Sequence, residues 1–282
     1  MSENLDEKVY KMPPAEFIEV TNNSRIAFTF NERMPIALTI NWQWVLAKVS
    51  EALIARNSLG VLKLLFFELD YVQLNSNAIE DIRSLLRQPV DENVLREIET
   101  KLDSLKKLTG EYLKHPQTNV PLLNYLLGES SFVVQQLKSL DIVGVGAFML
   151  ASGFRLALLQ LQAASDRTAW SQIKDKAIED SNYAFRVTPK LFRLSIGLID
   201  KSCQCIMWSS EPRQEESTTH YECRYFDGKD IHIFRASRAV AEFECNKHRL
   251  LMFSSVGERV NQTAALPVRT AVRKWQELAA SV

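Results

Sequence analysis

The sequence predicts a mainly α-helical protein, a bundle around one central buried helix at 142–165, with small β-hairpins near 17–30 and 219–234. Three observations lead there. Apolar residues recur at three- and four-residue intervals over most of the chain from Trp42 onward, the spacing of helix faces. The stretch 142–165 carries one charge, Arg155, in 24 residues, and a helix apolar all round is buried by other helices or by lipid. Only two places alternate around turn residues as strands do.

In order, residues 1–35 read as a polar tail and a short hairpin, and 36–282 as a helical bundle domain. Phe17–Val20 and Arg25–Phe30 flank a Thr-Asn-Asn-Ser turn. Trp42, Leu46, Val49 and Leu53 share a helix face, and Trp44 points nearly opposite Trp42, so one tryptophan is core and the other surface. Ser58 is placed to cap a helix carrying Leu62, Leu65, Phe66, Leu69 and Val72, and the pattern continues over Ala78–Leu86 until Pro89. Asp91 caps an amphipathic stretch in which Val94, Ile98, Leu102, Leu105 and Leu108 face one way, ended by His115-Pro116. Pro121 opens 122–140.

The central stretch follows, with Gly144, Gly146, Ala147, Ala151 and Gly153 among its leucines and phenylalanines. Arg155 near its middle costs about 2.5–3.5 kcal/mol in a bilayer, which disfavours a permanent membrane span. Asp166 or Thr168 caps a helix with Trp170, Ile173 and Ala177. Pro189 is expected to open the next, with Leu191, Leu194, Leu198 and Cys205 on one side. Tyr221–Phe226 and Ile231–Phe234 flank Asp227-Gly228 as a hairpin, and helix returns from Ala236 to about Val260 and again after Pro267.

Thirty-four basic residues balance thirty-four acidic ones, so net charge offers no reason to expect nucleic acid as a partner. Four cysteines in 282 residues are too sparse for a disulfide scaffold, and free buried thiols are the expectation. Met1–Lys11 is polar with no apolar run. The expectation is synthesis in a cytosol and, for an exported chain, release without a signal peptide.

Tests for chemistry find no constellation. His220, Cys223, Cys245 and His248 form a two-cysteine, two-histidine set that zinc would accept, but without a knuckle glycine or other supporting pattern. Gly144-x-Gly146 lacks the third glycine and the βαβ setting of a dinucleotide fingerprint. Glu179 and Asp180 read as solvated charges. No catalysis and no cofactor are expected.

The string from Phe148 to Ala163 resembles the central helix of the pore-forming amino-terminal domain of Cry-type insecticidal δ-endotoxins. An aromatic residue, small residues, a basic residue, a leucine run and a later tryptophan fall to Phe148, Ala151-Ser152-Gly153, Arg155, Leu156-Leu158-Leu159 and Trp170. The likeness is best over 91–208. It implies insertion of a helical hairpin, 121–140 with 142–165, into a target membrane, with Phe148, Ala151, Gly153, Phe154, Arg155, Leu156, Leu158 and Leu159 on the inserting helix. The chain departs from the family in being too short for its two β-rich domains and in carrying the 219–234 hairpin. The competing expectation is a helical scaffold whose exposed amphipathic faces bind a partner protein or a second copy of the chain.

Overall fold

The computed structural model describes residues 10–12, 41–86, 89–117, 119–208, 220–226 and 231–282. In chain order they form β1 (Tyr10–Met12), α1 (Trp42–Ile54), α2 (Ser58–Lys63), α3 (Tyr71–Leu86), α4 (Glu92–Lys114), α5 (Val120–Ser139), α6 (Val145–Ala163) and α7 (Ala169–Ser202). Then follow β2 (Cys203–Trp208), β3 (His220–Phe226), β4 (Ile231–Ala236), α8 (Arg238–Val260) and α9 (Leu266–Ala280). The fold is mainly α, as expected. It divides into a helical unit, Leu38–Arg193 with Arg259–Val282, and a sheet unit built from Leu194–Glu258 and the described part of Met1–Ala37. The helical domain expected over 36–282 is thus interrupted by the sheet unit. The hairpin expected at 17–30 lies outside the described residues.

In the helical unit, asparagine and aspartate side chains cap α1, α2 and α4. Asn41 Oδ1 accepts the Gln43 and Trp44 amides, and Asp91 Oδ1 accepts the Asn93 amide. The cap of α2 is Asn57, whose side chain accepts the Gly60 amide, while the expected cap, Ser58, is buried and donates to Gln160 Oε1 at 2.7 Å. A π-helical turn, Leu64–Glu68, joins α2 towards α3. Trp42 is buried, with its indole N–H donating to Asp81 at 2.9 Å, and Trp44 is half exposed.

Helix α6 is the centre. Seventeen of its 19 residues are buried, and α1, α2, α3, α5 and α9 all pack on it. Each Leu or Phe withdrawn from water there contributes about 1.5–3 kcal/mol. Its small residues admit close neighbours. A Cβ on Gly146 would stand 3.1 Å from the Trp42 ring and 3.2 Å from Ala78, and one on Gly153 only 2.7 Å from Val49 Cγ1.

Pro189 does not open a helix: α7 runs through it. Proline removes one backbone hydrogen bond, to the carbonyl four residues earlier. That residue is Phe185, which is exposed, so water can take the place of the missing N–H. One position ahead, the Thr188 hydroxyl donates to the Ala184 carbonyl at 2.7 Å.

In the sheet unit the strand order is β1-β4-β3-β2, all antiparallel. The β3–β4 pair realises the hairpin expected near 219–234. Cys203–Trp208 is a strand paired with β3, not the helical turn that would have carried Cys205; pairing partners outweigh local preference in such a segment. Ala241 and Cys245 of α8 pack with Cys223, and Tyr221, Tyr225 and Phe234 close around them. Cys223 and Cys245 are joined in a disulfide with Cα atoms 5.6 Å apart, which corrects the expectation of free thiols at these two positions.

We expect Gly153→Ala to destabilise the helical unit by about 1–3 kcal/mol through overpacking against the stiff Val49 side chain, and so to lower its thermal midpoint. Gly128→Ala, where an added Cβ meets nothing within 4 Å, should leave the midpoint unchanged or raise it. Equal effects of the two substitutions would contradict close packing of α1 on α6.

Candidate functional site at the central hairpin

The residues singled out on the central helix all lie on α6 and are all buried: Phe148, Ala151, Gly153, Phe154, Arg155, Leu156, Leu158 and Leu159. Phe148 meets Tyr183 of α7 edge-on at 4.6 Å. Phe154 sits 4.9 Å from Phe66 and 5.7 Å from Tyr71. The geometry therefore makes them one buried aromatic and aliphatic helix surface.

Helices α5 and α6 form a tight hairpin. Between them, 140–144 is a turn in which Asp141 adopts φ 49°, a left-handed conformation that aspartate tolerates better than most residues. Gly144 is fixed by space: a Cβ there would lie 2.4 Å from the Leu137 carbonyl oxygen. Lys190 of α7 grips the turn, its Nζ 2.8 Å and 2.9 Å from the Asp141 carboxylate oxygens. Within the hairpin, Gln162 donates to Asn124 at 3.2 Å.

The lone cation of α6 finds its anion in α7. Arg155 Nη2 lies 2.5 Å from Asp180 Oδ2, and the two side chains are 2% and 0% exposed. Lys138, at the end of α5, comes within 3.3 Å of Asp180 Oδ1, an electrostatic contact without hydrogen-bond alignment. The same ammonium binds Glu179 at 2.8 Å, and Lys176 binds Glu179 at 2.7 Å. Five charged groups thus clamp both arms of the hairpin to one turn of α7. Hydrogen bonds from Lys138 and then Lys176 hold the Glu179 carboxyl at about 2, well below the ordinary 4.5.

Asp180 corrects the solvated-charge expectation. The signal was present in the spacing of α7: Ile173, Ala177, Asp180, Ala184, Val187 and Leu191 fall on its buried side. The two polar residues of the central stretch separate in role. Gln160 is buried, accepting from Ser58 and donating to the Leu53 carbonyl at 2.8 Å, while Gln162 stays near the surface.

The zinc-compatible set is not assembled. Two of its members, Cys223 and Cys245, are bonded to each other. His248 stacks on Tyr225 at 3.7 Å, and His220 pairs in the ladder with Trp208. Among the described residues no group of three or more His, Cys, Asp or Glu side chains is arranged to hold a metal. A shallow cleft between α3 and α4 carries charges that pair with one another, Arg83 with Glu92 at 3.0 Å and with Glu80 at 3.6 Å.

Comparison with protein-family models, curated proteins and solved structures finds no match to this chain.

Asp180→Asn should destabilise the helical unit by about 3–5 kcal/mol in urea unfolding, because it strands the Arg155 guanidinium in the core. Adding Arg155→Met should recover most of that loss; a double variant no better than the single one would show that the pair is not the cause. A second expectation concerns acid. Glu179 titrates lower folded than unfolded, so its contribution is full above about 4.5 and is lost as pH falls towards about 2. Urea midpoints at pH 6 and pH 3 should therefore differ less in Glu179→Gln than in the parent protein.

Proposed function

We propose that the helical unit is a membrane-inserting, pore-forming module of the δ-endotoxin kind, in which the α5–α6 hairpin leaves the bundle and enters a bilayer. The observation that carries this is a bilayer-length apolar helix stored inside a bundle and paired with a partner across a tight turn. Helix α6 is the one helix among the described residues long and apolar enough to cross a membrane, and most of it is buried. Nineteen residues span about 28 Å, close to the thickness of a bilayer core. Its partner α5 carries only Glu129 and Lys138 as charges and exposes Val120, Tyr125 and Phe132. A helical hairpin satisfies its own backbone, which lipid requires. The hairpin as a unit and the sequence resemblance support the pore reading beyond what one buried apolar helix supplies. The module needs no catalysis and no cofactor. Its target is a membrane, and a disulfide in the sheet unit supports action outside the reducing cytosol in which the chain is made.

A different observation favours a second reading. Val240, Phe243, Leu250 and Leu251 project from α8, Phe243 and the two leucines more than 60% exposed. Such a face suits a scaffold that binds a protein partner or a second copy of itself.

Dye release from liposomes separates the two. Membrane insertion predicts release by the intact chain, faster on the order of tenfold in Asp180→Asn because the clamp must open first. No release by either protein at any pH or after protease nicking, with both folded by circular dichroism, would remove the pore reading and leave the scaffold.

A further inference from the structure

The sheet unit holds a sulfur constellation that the proposed function does not use. All four cysteines converge on one sheet face. Cys223 of β3 is bonded to Cys245 of α8. Cys205 of β2 stands directly opposite Cys223 in the β2–β3 ladder, and Cys203 stands opposite Tyr225. Directly opposed residues of an antiparallel pair project to the same face with Cβ atoms about 4.5–5.5 Å apart. Their Cα separation, about 4.5–5.5 Å, already lies inside the range that a disulfide spans. A Cys205–Cys223 bond therefore needs only a local approach of the two Cβ atoms, to about 3.5–4.5 Å, and leaves the β2–β3 register as it is. Cys205 is exposed and outside the disulfide, whereas Cys203 is buried with its Sγ 3.6 Å from Met252 Sδ on α8.

We propose that Cys205 is the resolving thiol of an intramolecular exchange, which replaces the Cys223–Cys245 disulfide by Cys205–Cys223 and releases α8 from its covalent tie to the sheet. The Cys205 thiolate attacks Cys223 Sγ; the Cys205–Cys223 bond forms as the Cys223–Cys245 bond breaks. Cys245 leaves as the thiolate and takes up a proton equivalent to the one Cys205 gave to solvent. The disulfide count is unchanged, so no oxidant or reductant is consumed. Before exchange the bond holds α8 on the sheet. After it, α8 keeps its non-covalent contacts, among them Ala241 beside Cys223, the His248 ring on Tyr225, Arg238 over the Tyr221 ring and Met252 beside Cys203. Burial and, second, the nearby Glu242 push the Cys205 thiol up, with Arg238 opposing in part. Little thiolate is present at neutral pH, and the resting disulfide persists.

The test is disulfide mapping of the full folded chain. The protein is incubated at neutral and mildly alkaline pH without reductant and trapped with iodoacetamide. It is then quenched in acid, digested and read by mass spectrometry. We expect two linkages in the same preparation, Cys223–Cys245 with Cys205 labelled and Cys205–Cys223 with Cys245 labelled, and only the first in Cys205→Ser where exchange is blocked. A Cys223–Cys245 linkage alone in the parent protein, with label confined to Cys205, would overturn the proposal. So would linkages to Cys203, which stands opposite Tyr225 and not Cys223 in the ladder. A second variant guards against misfolding: Cys245→Ser, oxidised with glutathione disulfide, should form Cys205–Cys223 and keep its circular dichroism. Amide exchange over Arg238–Val260 in that form should be faster than in Cys205→Ser, on the order of tenfold or more. Equal exchange in the two variants would show that the bond does not control α8.

Discussion

The structure turns on a guanidinium buried at the middle of an apolar helix. A guanidinium carries a full charge, so wherever α6 goes Arg155 must take an anion, water or a polar partner with it. In the bundle that partner is Asp180, also fully buried. A buried pair of this kind contributes little net stability, because desolvating both charges offsets most of their attraction. Arg155 Nε has no acceptor among the described residues, so the pairing there is incomplete. What the pair does provide is register. Only one rotation and one axial placement of α6 bring its single cation to Asp180 on the inner side of α7, so the pair fixes how the cylinder meets the helices packed on it.

The units are held by different physics. The helical unit is stabilised by withdrawal of apolar surface around α6, where close approach at Gly146 and Gly153 increases contact with α1 and α3. The sheet unit has a small core, Cys223, Ala241 and Cys245 with three half-buried aromatics. A core of that size gains little from burial, and a covalent tie between β3 and α8 restricts the unfolded chain instead. On the opposite face of β3, Glu222 is buried beneath Arg224 and Arg235, the latter at 2.8 Å. Hydrogen bonds from the two arginines offset its burial and keep the carboxyl below its ordinary range.

Helix periodicity made the helical unit legible. The central helix, the division of labour between Trp42 and Trp44 and the Asp91 cap follow from spacing and composition alone. What escaped was long-range pairing. The burial of Asp180 depends on a partner 25 positions away, and its own stripe on α7 was the local clue. The disulfide depends on a strand and a helix 22 positions apart, and a count of four cysteines cannot say which two meet. Cys203–Trp208 has no helix-breaking residue at its start, so its extended form comes from β3 beside it. Pro189 misled because a proline that opens a helix and one tolerated on an exposed turn look alike in sequence.

The polar groups of α6 also constrain what the helix could become outside the bundle. Ser152, Arg155 and Gln162 lie within one narrow side of it at 100° per residue, and Gln160 lies apart. In the bundle that side is served by neighbours: Arg155 by Asp180, and Gln162 by Asn124 of α5. Lipid would solvate the rest of the helix but not this side, where an unpaired Arg alone costs about 2.5–3.5 kcal/mol. An inserted α6 must therefore turn that side away from the acyl chains, towards water or towards another polar helix. A single inserted hairpin keeps Asn124 but loses Asp180, since Asp180 belongs to α7. Several hairpins facing a common aqueous centre remove the penalty without any new partner. The same guanidinium that sets the register of the closed bundle would then set the orientation of the open one.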